Sequence, residues 1–404
     1  MRDYPAVKRL SLVLAGLAAA VAGLCAVAVG DDWPIYRGAA HNGISAETGW
    51  FAPGAQLKVL WSADIGPSCS AVTVVGDRAY TMGNKADNDI VYCFDAATGK
   101  EAWKFSYPEK LDPENYEGGP NATPTVDGKC VYTVSKTGKL FCLDAEKSTK
   151  IWEVRLASKK PTWGYAGSVL PLGDKLIVNA GDHGMALEKA TGKVVWDSGS
   201  GPGGYSTPVP YERNGATLVA LFSAKSAIAV NAADGKVLWR HPWQTSYDVN
   251  AADPVILDGG AKVFISSGYN HGCAMLDASG AEPKELWSNK DMRNKHTNSV
   301  IHKGAIYGFD EKKTLICLDA ATGQAKWTKD GFGLGSLMLA DGKLIILSDE
   351  GKIVIAEASP EGFKQLAAGQ ALRGPCWTVP VLANGRIYAR SKTGTLSCST
   401  FLGK

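Results

Sequence analysis

Short runs in which apolar and polar residues alternate follow one another along most of the chain. One such run is Ile90–Phe94, and Glu101–Trp103 resumes it after a turn. Another pair of runs flanks a tight turn inside Thr125–Tyr132. Alternation with a period of two, bounded by Gly, Asp and Asn, is typical of β-strands, and the helical period is absent after the first 30 residues. The pattern therefore predicts an all-β protein.

The strands belong to a repeat that ends in tryptophan. Its clearest copies are Phe94–Trp103 (FDAATGKEAW) and Leu318–Trp327 (LDAATGQAKW). Asp can bond its own backbone in such a phrase and Gly supplies a positive φ, so the phrase predicts a turn between two strands. Four short strands in 40–50 residues form one propeller blade. The repeated tryptophans are Trp61, Trp103, Trp152, Trp196, Trp239, Trp287 and Trp327, spaced by 42, 49, 44, 43, 48 and 40 residues.

The count of strands predicts how the ring closes. A seventh unit ends near Leu366, which we expect to replace the tryptophan, and the remaining residues supply only three strands. The missing strand is at 57–61, and pairing it with the last blade removes the open edge. We predict a single eight-bladed β-propeller of four-stranded antiparallel blades over residues 57–401, rather than seven blades or an open solenoid, which needs capping units. The repeated tryptophans are interpreted as structural contacts between blades.

The N-terminal 56 residues precede this propeller. Lys8 and Arg9 stand before the uncharged run 10–30, and Ala26-Val27-Ala28 offers small residues for cleavage, so residues 1–28 are predicted to be a signal peptide, with an uncleaved anchor as the alternative. Residues 29–56 form an N-terminal extension. The chain is expected to be periplasmic or secreted, and a membrane tether through the N-terminal segment belongs to the anchor alternative.

Composition narrows the class of partner. The formal charge is +3 over 404 residues, and near +1 without residues 1–28, because that segment carries three basic residues and one acidic residue. Such a balance gives no electrostatic case for binding nucleic acid.

Nine cysteines are present. Four of them occupy one equivalent position that holds Ala186 and Ala229 in other repeats, which predicts small, buried, free thiols. Those four are Cys93, Cys142, Cys317 and Cys398. The sequence does not decide whether Cys69 and Cys376, on comparable loops of the first and last repeats, form a disulfide bond.

At the Asp-x-x-Thr-Gly-Lys-x-x-Trp phrase, the chain resembles the quinoprotein, or PQQ-like, propeller repeat from about Trp61 onward. The opening Asp32–Gly38 (DWPIYRG) is similar to the start of secreted bacterial members. That family implies two kinds of function. Some members are alcohol dehydrogenases that hold pyrroloquinoline quinone and Ca²⁺, and others are non-catalytic, including an outer-membrane assembly lipoprotein. The fold alone does not choose between them.

The dehydrogenase alternative finds little support in the residues. The adjacent cysteine pair that the resemblance implies for such enzymes is missing, and so is a haem-attachment motif. Under that alternative, Asp248, Asn250 and Asp253 would supply the oxygen ligands of Ca²⁺. Turn and cap formation is the favoured interpretation of the same three residues, because loops that enter a strand commonly use Asp and Asn in this way. We therefore predict no catalytic residue, no resident metal and no cofactor, with quinone and calcium only under the alternative.

Unusual loops lead into several blades and should meet at one end of the channel, where they could line a funnel or merely plug it. Loops on a rigid scaffold are a common place for binding. The leading prediction is a non-catalytic scaffold of the bacterial cell envelope that binds an unknown protein or small molecule there; a purely structural module is a third interpretation. The candidate ligand-binding residues are Trp163, Tyr165, Tyr205, Asp248, Asn250, Asp253, Arg293, His296, Asn298 and Trp377.

Overall fold

The computed structural model describes residues 30–114 and 116–402. Within these ranges the chain forms 33 β-strands and one 3₁₀ turn, Asp258–Gly260. No helix in the described ranges is both long and apolar enough to cross a membrane. The predicted signal peptide, residues 1–28, lies outside the described residues.

From the third strand onward, each set of four successive strands forms one antiparallel blade, except that the last blade takes its fourth strand from the N-terminal part. Two strands come first, β1 (Ile44–Ser45) and β2 (Lys58–Asp64). Blades 1 to 4 contain β3 (Thr73–Val75), β4 (Arg78–Lys85), β5 (Asn88–Asp95), β6 (Glu101–Pro108), β7 (Thr125–Asp127), β8 (Cys130–Val134), β9 (Lys139–Asp144), β10 (Lys150–Arg155), β11 (Leu170–Leu172), β12 (Lys175–Val178), β13 (Met185–Glu188), β14 (Val194–Asp197), β15 (Val209–Arg213), β16 (Ala216–Phe222), β17 (Ser226–Asn231) and β18 (Val237–Pro242). Blades 5 to 8 contain β19 (Val255–Leu257), β20 (Lys262–Ser267), β21 (Gly272–Asp277), β22 (Lys284–Asn289), β23 (Val300–His302), β24 (Ala305–Phe309), β25 (Leu315–Asp319), β26 (Ala325–Lys329), β27 (Ser336–Ala340), β28 (Lys343–Leu347), β29 (Lys352–Glu357), β30 (Gln365–Gln370), β31 (Val381–Ala383), β32 (Arg386–Arg390) and β33 (Thr395–Thr400).

The ring closes in blade 8. Strand β2 pairs antiparallel with β33, with Trp61 opposite Cys398 and Asp64 opposite Thr395, so the sheet order is β2-β33-β32-β31. The predicted eight-bladed, all-β propeller and its closure by an N-terminal strand are both confirmed. Pairing the two ends of the chain leaves neither β2 nor β33 as a free edge on the side where they meet.

The repeated phrase makes the predicted turn and also contacts the preceding blade. In blade 1, Oδ1 of Asp95 accepts the backbone N–H groups of Ala97 at 3.1 Å and Thr98 at 2.8 Å. Gly99 has a φ of +71°, and a Cβ there would lie 2.5 Å from the Trp61 ring of blade 8. Glycine is required at this position by both its backbone angle and the indole packed on it.

Most of the repeated indoles bond across to the next blade. Trp61 Nε1 donates to the Ala96 carbonyl at 3.1 Å, and Trp103 Nε1 donates to the Ala145 carbonyl at 2.8 Å. Trp239 is the exception, because its Nε1 donates to Tyr211 Oη at 3.3 Å within its own blade. The other indoles that reach the next blade are those of Trp152, Trp196, Trp287 and Trp327.

The equivalent position of the cysteines lies opposite the repeated tryptophan. Cys93 pairs with Trp103 in the sheet register, and the other three follow the same rule. All four thiols are buried and free, as predicted, and Cys69 and Cys376 are also free. In blade 7 this register corrects the prediction for Leu366. Ala367 lies opposite Ile355, whereas Leu366 is the extra residue of the bulge.

The propeller has two ends, named here by their loops. The mouth carries the loops that lead into the first strand of each blade, and the hairpin face carries the turns between first and second strands. The N-terminal segment crosses the channel near the hairpin face. The Pro34 carbonyl accepts a bond from Val126 N in blade 2, and Arg37 donates to the Ser299 carbonyl beside blade 6. Blades 2 and 6 are opposite in a ring of eight, so this segment spans the central axis.

Candidate functional site

A belt of inter-blade hydrogen bonds surrounds the channel below the mouth. Five blades each place one side-chain oxygen just ahead of their first strand, and it accepts the backbone N–H of the equivalent residue in the preceding blade. The bonds are Ala71 N to Thr123 Oγ1 (2.8 Å), Thr123 N to Ser168 Oγ (3.1 Å), Ser168 N to Thr207 Oγ1 (3.0 Å), Thr207 N to Asp253 Oδ1 (2.7 Å) and Asp253 N to Asn298 Oδ1 (2.5 Å). We call Thr123, Ser168, Thr207, Asp253 and Asn298 the belt residues.

Hydroxyl groups continue this contact around the rest of the ring. Thr297 Oγ1 donates to the Gly335 carbonyl at 3.4 Å, and Ser336 Oγ donates to the Thr378 carbonyl at 2.9 Å. Thr378 Oγ1 then reaches the Cys69 carbonyl at 3.4 Å, which returns the chain of contacts to blade 1. These bonds fix the blades to one another at the level where the channel widens.

Above the belt lies a cavity of about 540 Å³ that opens at the mouth. Its size falls within the range of small-molecule pockets. Four belt residues line it, and only Asn298 does not. Eight aromatic side chains surround the space: Tyr36, Tyr116, Trp163, Tyr205, Tyr247, Tyr269, His296 and Trp377.

The wall between blades 2 and 4 is held by its own hydrogen bonds. Trp163 N donates to Tyr205 Oη at 3.2 Å, and Asn121 Nδ2 donates to Tyr116 Oη at 3.1 Å. Both residues that receive these bonds are aromatic and face the cavity. The rings are therefore positioned by the loops before anything binds, which lowers the entropy lost on binding.

Charged groups place Tyr269 at the opposite wall. The carboxylate of Glu311 accepts the backbone N–H groups of Tyr269 at 2.7 Å and Asn270 at 2.8 Å, and both residues have φ near +60°. Arg293 pairs with Asp310 through Nε at 2.7 Å and donates to Asn270 Oδ1 at 3.1 Å. These ion pairs hold a left-handed loop tip that L-residues rarely adopt unaided.

The ring of Trp377 contacts both an aromatic and a cationic side chain. The His296 ring stacks on it with centroids 4.8 Å apart and planes 14° apart. Lys392 Nζ lies 3.7 Å from its centroid, a cation–π contact, and also pairs with Glu117 at 3.1 Å. The Trp377 ring is therefore already in contact with two side chains at the edge of the cavity.

The N-terminal segment supplies the floor. Tyr36 lines the cavity, and its Oη accepts a bond from Asn298 Nδ2 at 3.1 Å. Arg37 is 3% exposed, and its Nε lies 3.9 Å from Oδ2 of Asp253, which is 4% exposed. Burial raises the pKa of Asp253 to about 7, and the Arg37 cation opposes that rise. Burial also raises the pKa of the Tyr36 hydroxyl, so it remains protonated.

The structure brings five of the ten candidate ligand-binding residues together in this cavity, namely Trp163, Tyr205, Asp253, His296 and Trp377. The remaining five lie outside its lining. Tyr165 is buried in the core between blades 2 and 3, where its Oη bonds Ser158. Arg293 braces the Tyr269 loop, and Asn298 belongs to the belt. A binding role for any of the ten stays a prediction.

The oxygen cluster of the dehydrogenase alternative does not form a metal site. Asp248 Oδ1 accepts a bond from Gln244 Nε2 at 2.8 Å on the surface. Asn250 is buried, and its Oδ1 accepts from Ser267 Oγ at 2.7 Å. Asp253 Oδ1 is engaged in the belt. These oxygens serve separate structural bonds, and the described residues contain no group of three His, Cys, Asp or Glu side chains that could hold a metal ion. The residues present therefore do not fit a calcium–quinone centre.

Sequence reasoning missed Tyr36, Tyr116, Tyr269 and the belt as a unit. The belt had a detectable signal, because its residues stand at the same distance ahead of a strand in successive repeats. Tyr36 carried no periodic signal, since its segment is not part of the repeat. Tyr269 follows an ordinary strand, and Glu311, which accepts its backbone N–H, is 42 residues away in the sequence.

The known proteins that are similar to this chain include both assembly factors and an enzyme. Residues 86–329, more than half of the chain, match the sequence profile of the family described as outer membrane protein assembly factor BamB. BamB of Yersinia pestis is 23% identical over 333 residues, which cover 77% of this chain and 80% of that protein. BamB of Bordetella pertussis is 25% identical over 324 residues, which cover 78% of this chain and 69% of that protein.

Two solved structures share the fold. BamB from Moraxella catarrhalis superposes with a TM-score of 0.63 and 16% identity, over 85% of this chain and all of that one. Quinohemoprotein alcohol dehydrogenase from Comamonas testosteroni gives a TM-score of 0.69 and 14% identity, over 92% of this chain and 81% of that one. The predicted PQQ-like resemblance is confirmed, and the sequence matches agree with the envelope propeller scaffold. The chain belongs to the family of the outer membrane protein assembly factor BamB.

Proposed function

We propose that this chain is an exported scaffold of the bacterial cell envelope that binds a partner protein at the mouth of its propeller. The observation that supports this most is an exposed aromatic side chain at the mouth, packed against a second ring. Tyr247 is 63% exposed, and its ring meets that of Tyr269 edge-on at 5.3 Å. Aromatic side chains on rigid supports are enriched at the energetic centres of protein interfaces.

The charges near the mouth are suited to orienting a partner rather than to catalysis. Lys295 Nζ lies 5.3 Å from the Tyr269 ring centroid, and Lys392 is paired with Glu117. Asp253 and Arg37 form a buried pair of opposite charges. Charged groups at the rim of an interface mainly set association rate and specificity.

The relatives support the envelope setting. The sequence relatives from Yersinia pestis and Bordetella pertussis are named outer membrane protein assembly factors, and the outer membrane is part of the cell envelope. The proposal includes the export that residues 1–28 predict. It also includes the division of the chain into a signal peptide or anchor, an N-terminal extension to residue 56 and the propeller over residues 57–401. Catalysis through a bound quinone forms no part of the proposal, because Asp248, Asn250 and Asp253 each make a separate structural hydrogen bond.

Site-specific photo-crosslinking in cells tests the proposal. A photoreactive amino acid at position 247 should yield a discrete crosslinked product in the envelope fraction of the native bacterium. The matched control is position 214, an exposed asparagine in the β15–β16 turn of the hairpin face. Products of equal yield from both positions, or a product from 214 alone, would contradict docking at the mouth.

A further inference from the structure

Three belt residues that line the cavity carry hydroxyl groups with a hydrogen-bond donor to spare. Thr123, Ser168 and Thr207 line the space, and each oxygen already accepts a backbone N–H from the preceding blade. A hydroxyl has a single proton to donate. Within the described part of the chain, none of these three donates to a protein acceptor, so three donors on consecutive blades face the cavity.

The next belt position adds an acceptor. Asp253 Oδ1 is occupied by Thr207 N, but Oδ2 lies 3.9 Å from Arg37 Nε, beyond hydrogen-bonding distance. Asp253 also lines the cavity. Donors and an acceptor therefore stand side by side along one wall, and the nearby Arg37 cation offsets the charge of the carboxylate.

Flat apolar surfaces stand above this polar belt. Trp163, Tyr205 and Tyr269 line the upper walls, and Tyr36 lies at the floor. The faces of aromatic rings carry a negative quadrupole. The C–H groups on one side of a sugar ring are weakly positive and pack well against such a face, while the sugar hydroxyls both donate and accept hydrogen bonds.

The charged residues that line the cavity disfavour ionic ligands. An organic cation would meet Lys295 at the mouth, and a carboxylate ligand would meet Asp253 in the wall. We propose that the cavity binds a neutral saccharide of one or two rings, with the belt hydroxyls and Asp253 bonding its hydroxyl groups and the aromatic walls packing on its ring faces. The inference goes beyond partner docking, because it concerns the cavity beneath the mouth.

Calorimetric titration of the purified full chain with cellobiose, maltose and N,N′-diacetylchitobiose tests the class of ligand. At least one should bind saturably with a dissociation constant below about 1 mM. In the matched set of glucose, glucuronate and glucosamine, which differ in charge on one ring, the neutral sugar should bind best. Absence of saturable binding by all three disaccharides, or tighter binding of either charged sugar, would overturn the proposal.

Variants locate the binding in the cavity. Ser168→Ala should weaken binding of the best disaccharide about tenfold, the effect of one lost hydrogen bond. Thr125→Val is the matched control, since its Oγ1 also bonds between blades, to the Val169 carbonyl at 2.8 Å, without lining the cavity. Tyr269→Leu changes a half-buried loop residue and should weaken binding roughly three- to tenfold with the fold intact.

Equal losses in the Ser168 and Thr125 variants would show a structural effect and would reject the site. Unchanged affinity in the Tyr269 variant would reject the aromatic wall. The crosslinking result at position 247 is read independently of sugar binding, so failure of partner docking and failure of saccharide binding are distinguishable.

Discussion

Replacing Asp253 with Asn should remove part of the pH dependence of the propeller's stability. The pKa of this buried carboxyl is about 7 in the folded chain, against an ordinary value of 3.8. The folded chain therefore keeps a proton that the unfolded chain loses, so stability falls as pH rises from about 4 to about 7 and stays lower above that range. Between pH 5 and pH 8, this one group should lower the free energy of unfolding by roughly 2–3 kcal/mol.

Urea unfolding followed by tryptophan fluorescence at pH 5 and pH 8 measures the effect. The wild-type protein should lose roughly 2–3 kcal/mol more than Asp253→Asn over this interval. Asparagine retains an oxygen that can accept the Thr207 N–H, so the belt bond is preserved. Asp248→Asn, in the same loop but with its bond to Gln244 on the surface, is the control and should retain the wild-type difference. Equal pH dependence in wild type and Asp253→Asn would refute the assignment.

Three further changes test the architecture. Deleting residues 31–62 removes β1 and most of β2 and should leave much of the β33 edge exposed, seen as aggregation or a lower melting temperature; an unchanged, monomeric variant would argue against closure. The four cysteines opposite the tryptophans should resist a thiol reagent in the folded protein and react fast in urea, and a disulfide between any two of them, found by mass spectrometry, would reject their assignment. Trp103→Ala should destabilise the chain by about 3–5 kcal/mol in urea titrations, because it removes a large side chain and its bond to the Ala145 carbonyl; a loss below about 1 kcal/mol would show that the inter-blade contact matters little.

The fold could be predicted from the repeat in the sequence. Asp95, Gly99 and Trp103 each have a local physical requirement, namely a turn bond, a positive φ and a large apolar contact, and these requirements recur in register. Blade number and closure follow from counting them. Leu366 shows the limit of this reasoning, because a β-bulge shifts the register by one residue and only the paired strand reveals which residue takes the tryptophan's place.

The site was only partly predictable, for a different reason. The sequence identified the loops but not the partners of their side chains. Arg293 and Asn250 were expected to face the channel because they are polar residues in leading loops. Instead, Asp310 and Ser267, supplied by other strands or loops, engage them. Such pairings depend on long-range packing, which no local pattern encodes.

The path of the N-terminal segment also fixes how the propeller can be attached. Asp32 Oδ1 accepts the Gly76 N–H in the β3–β4 turn, and Asp31 N donates to Glu47, which also binds the backbone of the β31–β32 turn at Gly385. The chain therefore leaves the propeller at the hairpin face. If residues ahead of 30 serve as an anchor, the point of attachment lies at the hairpin face, at the end of the propeller opposite to the mouth and its cavity.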